Sequence, residues 1–313
     1  MKKIEKRFLF YFLLLGVFMG CTQTNNSQEI LLIIHTDDYG LSSSHNQATL
    51  KAFSYGIVNS ASIMMPCPWA NDGVEYWKKN KDMDLGLHIT LTNEWFTYKW
   101  APMADKESVS GLMNENGFML SNCQTLTELA TPKEIETEMR AQIEAALQSG
   151  LAPTHLDAHM SCVFRTHPEV IASYLRLGEE YSIPPMISKA NLDKLKKSYP
   201  ELLIGIDLKK IPVVSQILIA DEAQYDKIGM EAHYTDILQK LKPGLNVLLI
   251  HTAYDDPEMQ IMTKNHDYWN AEWRQADYDY FTSDLARQVL KDNNIRTVTW
   301  REVGLEYVNK INK

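Results

Sequence analysis

The 313-residue chain has no basic block, no Cys-x-x-Cys pair, no glycine-rich phosphate loop and no internal repeat. Each absence removes a class of function. A formal net charge of −9, without clustered lysine or arginine, argues against nucleic acid as a partner. The four cysteines, Cys21, Cys67, Cys123 and Cys162, are too widely spaced for a zinc or dithiol motif. The last three are expected as small buried residues, with one disulfide among them left open. No phosphate-binding glycine fingerprint follows the first apolar run, which disfavours an open dinucleotide-binding sheet.

One long apolar run exists, from Phe8 to Met19, and it is short for a bilayer span. A basic start precedes it and Gly20-Cys21 follows it. Residues 1–21 therefore read as a secretory signal of lipoprotein type, with Cys21 as the lipidated residue and 22–28 as a polar tether. The chain is expected to be exported, in the cell envelope or periplasm, and to touch the membrane only through that anchor. Residues 29–313 are expected to form one catalytic domain.

From Glu29 onward, strand-like and helix-like segments alternate. LLIIHT (31–36) reads as a strand. The segment from His45 to Tyr55 has helical spacing, with Gly56 to close it. Ile57–Met65 and Leu85–Thr92 read as strands, separated by a helix over Asn71–Lys79. A long excursion covers Trp95–Thr127, the length expected of a functional lid. The helix after it carries its own punctuation: Thr131 as N-cap, Pro132 at the first helical position, Glu134 completing a capping box and Gly150 at the stop. PTHLDAHMS, PPMISK, Asn246–Thr252 and Ile295–Trp300 read as further strands, with helices between them, one of them over Phe281–Asp292. This rhythm predicts an α/β fold, a single distorted (β/α) barrel.

Polar residues gather at the C-terminal ends of these strands. The first ends in Asp37-Asp38, the third carries His88, the fourth carries His155, Asp157 and His159, and a later one ends in His251. That end of an α/β barrel is where active sites are built. Strand alternation points His155, Asp157 and His159 the same way. Two adjacent carboxylates beside several imidazoles predict a divalent metal between them. His45 and His167 are expected as capping or surface residues.

HTDDYGLSSSHNQA, GIVNSASIMMP, LGLHITLT and PTHLDAHMS, in that order, resemble the motifs of the YdjC-like carbohydrate deacetylases. The resemblance implies a distorted (β/α) barrel and one divalent metal, magnesium or zinc, held by Asp38, His88 and His159. It implies Asp37 as general base acting on an N-acetylated saccharide. His251 is carried over as a residue able to protonate the leaving amine. His155 and Asp157 are candidates for fixing a ligand ring or touching substrate, and Trp95, near Tyr98 and Trp100, for stacking on a sugar. Family members continue the fourth motif with histidines where this chain has Met160, Ser161 and Cys162, so its substrate lining differs. Two other functions suit the same residues: metal-dependent hydrolysis of another bond such as a phosphoester, and non-catalytic sugar binding by a lipoprotein. The first lacks an arginine–lysine cluster for phosphate, and the second predicts lost ligands. A glycosidase would need a separated carboxyl pair in place of a histidine-rich rim.

Overall fold

A computed structural model describes residues 29–304. The segment expected to be a signal and tether, with Cys21, and residues 305–313 lie outside the described residues. Nine strands are present among those described: β1 (Ile30–Tyr39), β2 (Ser60–Ile63), β3 (Leu85–Ile89), β4 (Leu156–Ala158), β5 (Ile187–Ser188), β6 (Val213–Val214), β7 (Gln216–Ile219), β8 (Gly244–Ile250) and β9 (Arg296–Thr297). Every strand pairing is parallel. The main sheet runs β4-β3-β2-β1-β8-β7, and β5 pairs β6. A single bridge, Leu156 to Pro185, links β4 to the segment before β5. Only Ser215 separates β6 from β7. The curled sheet thus returns on itself, and the fold is the expected distorted (β/α) barrel. β9 pairs Leu31 and Leu32 of β1, below the reach of β2.

Alternation along each strand builds the interior. Leu32 and Ile34 of β1 pack outward with Leu248, Trp273 and Phe281. Ile33 packs inward with Val247, Val298 and Trp300. His35 and Asp37 continue that inward row. In β3, Leu85, Leu87 and Ile89 join the outer core, which leaves Gly86 and His88 for the interior. In β2, Ala61 and Ile63 pack outward, and Ser60 and Ser62 turn in to His35. The barrel is therefore apolar at its base and polar at its C-terminal end.

The helices pack outside. Ser42 caps the helix Ser43–Tyr55 by accepting the His45 amide. The Thr131–Glu134 capping box opens the helix Pro132–Gln148 as its sequence requires. No helix among the described residues is long and apolar enough to cross a membrane. Several boundaries differ from expectation. β2 and β9 are shorter than their apolar runs. The helix expected over Phe281–Asp292 is two helices, Ala271–Thr282 and Asp284–Asp292, because the Ser283 hydroxyl caps a new N-terminus there.

One open residue question is resolved and one expectation is corrected. Cys123 and Cys162 form a disulfide, and Cys67 alone stays free among the described residues. The bond joins the excursion to the turn after β4, a proximity that a separation of 39 residues concealed. His45 is fully buried instead of sitting at the surface, with Nδ1 on Ser42 Oγ and Nε2 on Arg274. His167 is partly buried at the N-cap of the helix Pro168–Glu180, where its side chain makes no capping bond.

Candidate active site

A regular strand would send Asp37 and Asp38 to opposite faces of the sheet. The β1–β2 register shifts between Thr36 and Tyr39, and Asp38 adopts φ +65°. Aspartate tolerates that left-handed conformation better than most residues. The bulge turns both carboxylates toward the top of the barrel interior, where both are buried.

Asp38 Oδ1 lies 3.5 Å from His88 Nε2 and 3.3 Å from His159 Nδ1. It makes no well-aligned hydrogen bond among the described residues. The far nitrogen of each ring is tied down. His88 Nδ1 is 2.7 Å from Asp157 Oδ1, and His159 Nε2 is 2.9 Å from Glu94 Oε2. A carboxylate on one ring nitrogen leaves the other to serve as a ligand. An unsatisfied carboxylate oxygen between two such imidazoles is a donor set that fits a divalent ion.

Asp38 Oδ2 accepts from Arg274 Nη1 at 2.8 Å. Burial raises the Asp38 pKa, but the Arg274 guanidinium and the neighbouring histidines hold it well below the carboxylate range. Arg274 is itself buried, stacks over Trp95 at 5.3 Å and donates Nε–H to the Trp269 carbonyl.

Asp37 stands beside this trio. Its Oδ1 is 3.1 Å from His35 Nε2, and its Oδ2 is 3.7 Å from His251 Nε2 and 3.9 Å from His88 Nε2. His35 Nε2 also lies 2.8 Å from Asp157 Oδ2, while Nδ1 pairs with Ser60 Oγ at 2.9 Å. Burial disfavours the charged His35 ring, yet Asp157 and Asp37 raise its pKa to about 10. Asp157 is raised by burial and pulled well below its ordinary value by the His88 and His35 rings. His251 is lowered to about 4, by burial first and by Arg274 against the opposing pull of Asp38. Its backbone N–H donates to Asp277 Oδ2 at 2.8 Å.

His155 sits lower in the barrel. It stacks on Trp300 with centroids 5.0 Å apart and lies directly against Gly86, where a Cβ would fall 2.3 Å from the ring. Its pKa is pushed well down by burial and by His35.

Two cavities meet at Ser161 and Ile219. One, of about 370 Å³, opens over Asp38, His159 and His251 and is walled by Trp95, Trp269 and His266. The other, of about 520 Å³, runs past Asp37 and His88 along Ser188, Asn191, Ser215 and Gln216.

The structure thus gathers Asp37, Asp38, His88, His155, Asp157, His159 and His251 at one end of the barrel. Trp95 is buried, its ring against His266 at 4.7 Å, so it forms a wall instead of an open platform. Trp100 is also buried, and the Tyr98 hydroxyl donates to the Leu41 carbonyl. Sequence reasoning missed His35, Glu94, Arg274 and Trp269. His35 was recoverable, since it lies two residues before Asp37 in the same inward row. Arg274 comes from a helix far along the chain and carries no local signal.

The family model for YdjC-like protein matches residues 31–292. A carbohydrate deacetylase of Thermus thermophilus is 33% identical over 275 residues, covering 87% of this chain and 93% of that protein. A carbohydrate deacetylase of Thermoanaerobacter pseudethanolicus is 26% identical over 264 residues, covering 84% of this chain and 95% of that protein. In fold, the chain is similar to a crystal structure from Enterococcus faecalis V583 described as that of a cellobiose-phosphate cleavage protein. The TM-score is 0.71 at 20% identity, covering 88% of this chain and 99% of that chain.

Proposed function

The chain belongs to the YdjC-like protein family, and from that premise we propose that it is a metal-dependent hydrolase removing acetyl groups from N-acetylated sugars or oligosaccharides. The relatives named carbohydrate deacetylases support the substrate class. The observation that carries the chemistry is the different surroundings of the two adjacent carboxylates. Asp38 faces two ligand-poised imidazoles, and Asp37 stands free of that set but within 4 Å of it.

Asp38, His88 and His159 are the proposed ligands. Two imidazoles and one carboxylate suit zinc, and magnesium is compatible where water completes the shell. A divalent ion held there supplies Lewis acidity, which acidifies water and polarises an amide carbonyl. Asp37 accepts the proton of the attacking water, and His35 holds the carboxylate in place for that task. The water oxygen bonds to the acyl carbon, the carbon–nitrogen bond breaks, and the amine leaves with a proton. His251, with Nε2 3.7 Å from Asp37 Oδ2, is placed to pass that proton on. A ring lowered to about 4 is neutral at pH 7 and free to receive it. The sugar occupies the flanking cavities, whose linings hold neutral hydroxyl and amide groups on one side and aromatic walls on the other. Arg274 is committed to Asp38, so among the described residues Arg165 is the one other arginine or lysine lining these cavities, short of the cluster a phosphoester calls for.

Export with a lipid anchor on Cys21 is part of the same reading. The disulfide supports it, because such bonds persist in oxidising compartments.

The test is acetate release from N-acetylated chitooligosaccharides by metal-stripped protein reloaded with zinc, magnesium, cobalt or nickel. Metal-dependent release is expected. Asp37→Asn should lower kcat by about a hundredfold or more while metal still binds. Metal binding without acetate from any such sugar would move the function to another bond, and no metal binding would sink the reading.

A further inference from the structure

The turn carrying His159 is held in an unfavourable backbone. His159–Ser161 form a single tight turn, and both Met160 (φ +51°) and Ser161 (φ +56°) are left-handed without being glycine. Two such residues in succession relax unless their surroundings prevent it. Cys162 follows at once, and its sulfur is bonded to Cys123.

Cys123 belongs to a rigid partner. The excursion before it is fixed to the barrel at several points. The buried Glu138 carboxylate accepts the Met103 and Ala104 amides, and the Asn93 amide donates to the Leu120 carbonyl. Glu94, the residue immediately before the excursion, fixes the His159 ring. His159 is thus braced twice, at the two ends of this stretch: through its ring by Glu94, and through its backbone by the bond to Cys123 three residues on.

We propose that the Cys123–Cys162 disulfide is the brace that keeps His159 in ligating position, so that affinity for a divalent ion falls when this bond is reduced. The inference rests on the reading of His159 as a metal ligand. Reduction by a dithiol delivers two electrons and two protons: the sulfur–sulfur bond breaks, two thiols form, and the dithiol becomes its own disulfide. The turn is then free to return to right-handed backbone, carrying His159 Nδ1 away from Asp38.

The test measures zinc affinity by competition with a chromophoric chelator. It compares three metal-stripped forms of the full chain in detergent: oxidised, reduced with dithiothreitol and desalted without air, and Cys123→Ser/Cys162→Ser. The double variant removes the complication that new thiols bind zinc. Zinc binding to the oxidised chain is expected, with a Kd about tenfold or more higher in the double variant, whose far-UV circular dichroism is unchanged. Equal affinity in the oxidised chain and the double variant would overturn the brace. So would loss of the folded spectrum in the reduced chain and the variant alike, since the bond would then be a global staple. No zinc binding even when oxidised would overturn the ligand reading, and the brace with it.

Discussion

Asp157 divides its two oxygens between His88 and His35, and so connects the proposed metal set to the proposed base. One ring faces Asp38 and the other faces Asp37. Glu94 does for His159 what Asp157 does for His88. Removing such a partner commonly costs 10- to 100-fold in metal affinity. Glu94→Gln is therefore expected to weaken zinc binding by about tenfold or more, read by chelator competition, with the fold intact. An unchanged Kd would mean that the His159 ring needs no orienting carboxylate. Gly86 supports the same network from below. A methyl group at this position meets the His155 ring at 2.3 Å, and the ring is pinned by Trp300 behind it. Gly86→Ala is expected to destabilise the protein by about 1–3 kcal/mol, the usual range for overpacking, measured by denaturant unfolding. The ligand-type residues were legible in the sequence because histidine and aspartate are conspicuous at the ends of apolar runs. Their orienting partners were less so. Glu94 reads as an ordinary loop residue until the excursion folds back over His159.

Elements were legible to the degree that local chemistry defines them. The helix Pro132–Gln148 announces itself through its capping box, and the structure contains both reciprocal bonds. Glu134 also accepts the Gly111 amide, which ties the excursion to the helix start. Thr131→Ala should cost about 1 kcal/mol, the ordinary value of an N-cap. The loss is expected to appear in hydrogen exchange as faster opening of the first helical turn and of the Gly111 amide; protection unchanged at both would separate the cap from the excursion. β1 shows the opposite case. Its apolar residues were readable as a buried parallel strand, yet the bulge that turns Asp38 inward has no signature beyond the two aspartates themselves. β5, β6 and β9 were harder still. Each is two residues long, and its extent is set by which neighbour it meets, as when Leu31 and Leu32 meet β9 only where β2 falls short.

For the whole molecule, the titrating interior squeezes the metal-free chain from both sides of neutrality. On the alkaline side, burial works against a charged ring at His35 and His159. Asp157 and Asp37 outweigh it for the first, and Glu94 and Asp38 for the second, raising both from 6.5 to about 10. The folded state then binds protons that the unfolded chain has released. That stabilisation is complete below pH 6.5 and is lost as pH rises through about 10. Asp277, raised by burial from 3.8 to about 7, gives a loss of the same sign between those values, and so offsets one of the histidine contributions on the acid side. On the acid side the histidines work in reverse. His45 and His155 are held neutral by burial, and His251 is lowered to about 4, so their contribution is present above 6.5 and lost as pH falls. Asp38 and Asp157, both depressed, contribute above 3.8 and lose that contribution in acid. Stability of the metal-free chain should therefore peak near pH 6.5 and decline toward both pH 4 and pH 10. A divalent ion in the site takes over the neutralising role of the ring protons, and its binding strengthens as those protons leave. Thermal scans with chelator should show Tm falling from pH 6.5 to pH 10. Scans with saturating metal should show the largest rise in Tm at the alkaline end. A metal-free Tm that stays level across that range would mean that the buried imidazolium–carboxylate pairs do not form without metal, and that the carboxylates are kept apart by some other means.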